Sequence, residues 1–164
     1  MKTGIAALAV LLVLLFPIPG SAQTDKFLNS LQGEWEGEGK AFGGAALMRI
    51  KWEWVLNSKF LRLTMRNEIS APNRPKQIFE GQAYYRSNGV DKYAAHWFDS
   101  RGVTFPIKAQ LDGDTLIAWW GSPETEEGKS TYRLIDESTM EVVDSVKQKD
   151  GSFREFGRVT VKRK

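Results

Sequence analysis

Residues 31–41 read LQGEWEGEGKA, and their alternation decides the fold. Leu31, Gly33, Trp35, Gly37, Gly39 and Ala41 take one side, while Gln32, Glu34, Glu36, Glu38 and Lys40 take the other. Successive side chains of an extended strand point to opposite faces. A period of two with small and apolar residues on one face and charges on the other therefore predicts a strand covered on one face only. Just upstream, residues 24–31 (TDKFLNSL) follow the other period: Thr24 or Asp25 can cap a helix, and Phe27, Leu28 and Leu31 share one of its faces. That predicts one short helix, and after Gly33 the helical period does not return.

Outward from this stretch the same alternation repeats. Met48, Ile50, Trp52, Trp54 and Leu56 interleave with Arg49, Lys51, Glu53 and Val55; Leu61, Leu63 and Met65 interleave with Arg62, Thr64 and Arg66. Asn57-Ser58-Lys59 between them predicts a hairpin turn, and the two prolines of 71–75 (APNRP) predict a loop, because proline cannot donate to a strand ladder. Further strands are expected at 78–86, 92–98, 103–110, 115–120, 129–135, 140–147 and 153–162, separated by turn formers such as Asp112-Gly113-Asp114. Ten strands on short turns leave no room for crossover helices, and no second layer exists to cover the apolar face. Closing the sheet on itself covers that face and removes its edges. The expected fold is all-β: a single antiparallel up-and-down β-barrel of about ten strands with a short N-terminal helix.

The chain has 164 residues, of which 41% are hydrophobic and 26% charged, enough apolar surface for one folded domain. It has no cysteine, which excludes disulfides, thiolate metal sites and a cysteine nucleophile; one histidine excludes a multi-histidine metal site. The net charge of +3 is spread along the length, with no basic stripe for nucleic acid. Lys2, the apolar run 5–16 and the small residues Gly20 and Ala22 have the layout of a secretory signal peptide over residues 1–22. The run is too short for a membrane span. An exported domain over 23–164, periplasmic or extracellular and without a stable membrane anchor, is the expectation.

The helix leading into Gly33-x-Trp35-x-Gly37 resembles the Gly-x-Trp start of the calycins: lipocalins, fatty-acid-binding proteins and nitrobindin-like barrels. With Glu53-Trp54-Val55-Leu56, the strand ending Trp97-Phe98-Asp99-Ser100-x-Gly102 and the final Asp150-Gly151 turn, the chain resembles a bacterial lipocalin-like family catalogued as a domain of unknown function. The resemblance implies a calycin barrel and no particular activity. Two departures stand out. The C-terminal segment lacks the iron-binding histidine of nitrobindin-like proteins, and Arg158 with Thr160 replaces the arginine–tyrosine pair of fatty-acid-binding proteins.

Gly33, Trp35 and Gly37 are expected to be structural, the glycines permitting close approach of the helix and the indole closing one end. Large aromatics beside small inward residues (Gly81, Ala83, Ala94) predict a hollow interior opposite the helix, of roughly 300 Å³ or more. Its expected ligand-binding wall is Trp54, Phe79, Tyr85, Phe98 and Phe105, with His96 on the same surface, and its expected partner is a small apolar or aromatic molecule. A solid core is the alternative. His96 is read as a hydrogen-bonded wall residue, or as a haem ligand or proton acceptor; no cofactor is otherwise implied. Asp144 shares a face with Val142 and Val146 and needs a partner such as Arg62 or Tyr132. Asp99-Ser100-Arg101-Gly102 is read as a hairpin turn. Three other functions stay open: proton-transfer catalysis at His96 or Asp144, haem or nitric-oxide binding at His96, and a ligand-free interaction module. Oligomeric state is not legible.

Overall fold

A computed structural model describes residues 21–164. All but the last two residues of the expected signal segment 1–22 lie outside the described residues. Helix α1 (Ser21–Leu31) is followed by β1 (Gly33–Ala41), β2 (Gly44–Val55), β3 (Phe60–Ser70), β4 (Gln77–Ser87) and β5 (Lys92–Asp99). Then come β6 (Thr104–Asp112), β7 (Thr115–Gly121), β8 (Glu127–Leu134), β9 (Thr139–Lys147) and β10 (Phe153–Arg163). Each strand pairs antiparallel with its neighbour in sequence, and β1 pairs with β10 to close a ten-stranded barrel. The expected fold is the observed one.

Glycine makes the closing seam. A methyl group on Gly37 would stand 2.0 Å from the Thr160 carbonyl oxygen, and one on Gly39 would stand 2.2 Å from that of Arg158. Only residues without a Cβ let β1 lie this close to β10. Gly37 was expected to admit the helix; the element it admits, with Gly39, is β10.

Two strands are longer than periodicity predicted. β2 starts at Gly44, directly after a two-residue turn in which Phe42 and Gly43 have φ of 51° and 77°, and the small residues Gly44, Ala45 and Ala46 carry little alternation signal. β3 runs on to Ser70, carrying the buried residues Asn67 and Ile69 inward. Leu56, which the alternation placed inside, belongs to the following turn at φ 52° and is 67% exposed.

Helix α1 plugs one end. Leu28 and Leu31 are buried, and Trp35 (1% exposed) donates its Nε1–H to the Leu31 carbonyl at 2.8 Å. Trp54 Nε1 donates to Asn29 Oδ1, also at 2.8 Å, tying the helix to β2. The Arg163 guanidinium lies 4.1 Å over the Trp35 ring and donates to the Ser30 carbonyl at 2.6 Å. Beneath this cap Trp52 meets Tyr132 edge-on at 5.1 Å and Tyr85 at 5.5 Å, so aromatic rings fill the middle of the barrel. The outer face is charged: across β1 to β4 the register sets Glu36, Arg49, Arg66 and Glu80 side by side, with Glu68 joined to both arginines and to Lys76. Among the described residues no helix is long and apolar enough to cross a membrane.

Candidate functional site: a one-ended aromatic cavity

The end opposite α1 is hollow. A cavity of about 280 Å³ opens between the β1–β2, β5–β6, β7–β8 and β9–β10 turns, slightly smaller than the sequence led one to expect. Glycines keep it open. The Trp97 indole lies against Gly81, where a methyl would come within 2.0 Å of the ring; Trp120 lies against Gly128 in the same way, at 2.1 Å. Each indole is thus laid flat on the barrel wall, within a recess on the neighbouring strand, and does not project into the lumen. Phe79 stacks near Trp97 (6.3 Å, 22°) and Phe105 near Trp120 (5.6 Å, 27°), giving two flat apolar walls.

The rim combines rings and charges. Phe42, held at positive φ, packs on Phe156 at 4.9 Å and on Phe79 at 5.7 Å, and its N–H donates to the Phe156 carbonyl at 2.8 Å. A bulky residue in the left-handed region is strained, and these contacts hold it there. Arg101 reaches over Phe79 while Asp99 and Glu126 accept from its guanidinium at 2.8 and 2.9 Å. Asp99 is buried, which raises its pKa, but hydrogen bonds from Arg101 and from Trp97 Nε1 (3.0 Å) outweigh burial and leave it below the usual value. The segment expected to be only a hairpin turn therefore also fixes one wall indole and one rim cation.

The floor is polar. Asp144 on β9 faces Ser130 on β8, whose Oγ donates to Asp144 Oδ1 at 2.5 Å, and Trp120 Nε1 donates to the same Ser130 Oγ at 3.3 Å. Burial pushes the Asp144 carboxyl up to about 6 against the opposing effect of Ser130. Burial likewise raises the Tyr85 phenol, and that of Tyr132 with added repulsion from Tyr85 and Asp144, so both keep their protons at neutral pH. Asn67, only 2% exposed, lines the cavity with an Oδ1 that no donor meets; its Nδ2 faces Met65 Sδ at 3.9 Å.

Of the expected wall residues, Phe79, Tyr85 and Phe105 line this cavity. Trp54, Phe98 and His96 do not. Trp54 faces inward but at the plugged end, against Asn29. On β5 the inward residues are Tyr93, Ala95 and Trp97, so Ala94, His96 and Phe98 take the outer face and Phe98 is 50% exposed. The expected inward direction of Ala94 and Phe98 is thus corrected by one residue. The only histidine, pointing outward, supplies neither a haem ligand nor a proton acceptor to the cavity. The partner of Asp144 is Ser130, with Tyr132 beside it; Arg62 is bound to Glu53 on the outer face. Sequence reasoning missed Asn67, Trp97, Trp120 and Ser130. Counting inward in steps of two from Tyr132 reaches Ser130 and Gly128, a signal that was available. Among the described residues no group of three His, Asp or Glu side chains is placed to hold a metal ion.

A closed antiparallel barrel, plugged at one end by an N-terminal helix and hollow at the other, is a calycin-like barrel. No protein-family model matches the sequence, and no curated protein matches it. Among solved structures the chain is similar to Rv2717c from M. tuberculosis, with a TM-score of 0.66 and 15% identity, over 87% of this chain and 98% of that one. It is also similar to the S-type phycobiliprotein lyase CPES from Guillardia theta, with a TM-score of 0.58 and 8% identity, over 86% of this chain and 92% of that one. At these identities the likeness shows the fold.

Proposed function

We propose that this chain is an exported binding protein whose barrel takes up a small, flat, largely apolar molecule. The observation that carries the reading is the aromatic cavity, kept open by Gly81 and Gly128 and walled by two stacked ring pairs. A concave apolar site with a few convergent polar groups is the usual form of a small-molecule pocket. That another barrel of this fold is a phycobiliprotein lyase supports a ligand-handling role at the level of fold only. The test is titration with the neutral dye N-phenyl-1-naphthylamine, read by quenching of tryptophan fluorescence. Ala118 is buried and lines the cavity, so Ala118→Phe fills it. The dye should bind the natural protein, and the substituted one at least about tenfold more weakly. Failure to bind the natural protein, or equal binding to a folded Ala118→Phe variant, overturns the reading.

A second reading, proton transfer on a bound molecule, is favoured by Asp144 and not by His96. Its pKa of about 6 lies near the range a general base needs. Turnover of a candidate substrate would then show a pH limb near 6 that Asp144→Asn removes.

A further inference from the structure

Two oxygen acceptors that line the cavity have no hydrogen-bond donor among the described residues. Asp144 Oδ1 accepts from Ser130, while Oδ2 has no protein donor among the described residues. Among the described residues no cationic side chain forms an ion pair with this carboxylate. Two arginines line the same cavity: Arg101 is held over Phe79 by Asp99 and Glu126, and Arg154 stands on β10 opposite Val146 of β9. On β10 the residue paired with Asp144 is Gly157, where an added methyl would sit 3.5 Å from Oδ2, so that side of the carboxylate is free of side chain. Across the barrel a second acceptor, Asn67 Oδ1, is buried without a donor. A half-buried carboxylate with a single neutral hydrogen bond, and a buried amide oxygen with none, are both costly unless a ligand supplies the missing donors.

We infer that the molecule taken up is an aromatic amine bound as its cation, with the ammonium group against Asp144 and the rings between the Trp97 and Trp120 walls. This rests on the binding-protein reading and names the ligand class. An ammonium group donates to the free Asp144 oxygen, and its charge is matched by a carboxylate that is ionised at neutral pH. Indole and phenyl faces around it add attraction for a cation. A carboxylate ligand placed against Asp144 would meet a like charge.

The experiment compares three naphthalenes at about pH 7.5, where Asp144 is ionised. 1-Naphthylmethylamine is cationic, 1-ethylnaphthalene is its neutral isostere, and 1-naphthylacetate is anionic; each is titrated against tryptophan fluorescence. The amine should bind roughly tenfold or more tightly than the isostere, which is the worth of one charge-assisted hydrogen bond, and the anion should bind most weakly. Asp144→Asn should bring the amine to within about twofold of the isostere, both titrated against the same variant. Isostere binding to the variant shows that it is folded with its cavity intact. Equal binding of amine and isostere, or an amine preference that survives Asp144→Asn, overturns this inference and leaves the binding-protein reading standing. If none of the three binds, both fall together.

Discussion

Replacing Asp144 by asparagine should stabilise the protein at neutral pH and leave its stability at about pH 4 nearly unchanged. The carboxyl ordinarily titrates at 3.8 and in the fold at about 6, burial being the cause. Below 3.8 the group is protonated in both folded and unfolded chains and costs nothing. Between 3.8 and about 6 the unfolded chain loses the proton first, so it binds fewer protons than the fold, and stability falls as pH rises. Above 6 both states are ionised and the loss is complete. The interval is roughly two pH units, and at about 1.36 kcal/mol each the ionised carboxylate costs the fold up to about 3 kcal/mol, less whatever screening the open mouth provides. Asparagine keeps an oxygen for the Ser130 hydroxyl and has no charge to bury. Other carboxylates work in the opposite sense. Glu36, Glu53, Glu68 and Glu141 are held below 4.5 by hydrogen-bonded arginine and lysine partners, so their contribution is present above that value and lost as pH falls. They are common to both proteins and cancel in the difference. Urea unfolding of both proteins from about pH 4 to about pH 8 should give a stability difference near zero at the acid end. It should rise through about pH 5 to a plateau of roughly 1–3 kcal/mol in favour of Asp144→Asn. A flat difference, or a variant less stable than the natural protein at neutral pH, would refute the reading of Asp144 as a desolvated acid without a cationic partner.

Trp35→Ala should cost about 3–5 kcal/mol in the same unfolding assay, because it opens a large void beneath α1 and removes the bond to Leu31; a loss below about 1 kcal/mol would place the ring outside the core. Gly81→Ala should push the Trp97 indole off the wall into the lumen, weakening dye binding at least about tenfold at a stability cost of roughly 1–3 kcal/mol; undiminished binding would show that the indole does not depend on the recess. Protein recovered from the exported fraction should begin at Gln23 by N-terminal sequencing or intact mass, and an intact Met1 there would end the export proposal.

Alternation carries the face on which a residue lies, and it did so correctly for Trp35, Met48, Ile50, Trp52 and Tyr85, all buried. It carries no information on height along the barrel axis. Trp54 and Tyr85 both point inward, yet one meets the helix cap and the other the cavity floor. Where both faces hold aromatics, even the side is ambiguous. In 93–98 (YAAHWF) Tyr93 and Trp97 compete with His96 and Phe98, and what decides is a contact from another strand, the fit of the Trp97 indole into the space at Gly81. Polar floor residues are hidden for a related reason. Asn67 and Ser130 look like outward residues until the hydrophobic period is extended through them from Met65 and Tyr132. Asp144 was conspicuous because two valines of the same face frame it.

The pairing of β1 with β10 has a kinetic consequence. Every other ladder joins strands adjacent in sequence and forms by closing a short turn, whereas this one brings together the two ends of the folded chain. Loop closure across such a separation is unfavourable in entropy until the intervening hairpins have shortened it. Zipping of the hairpins therefore comes first and closure last. Gly37→Ala, which sets a methyl against the β10 backbone, should therefore speed unfolding far more than it slows folding. That outcome would put control of the native barrel's half-life at the seam, which joins the strands farthest apart in sequence.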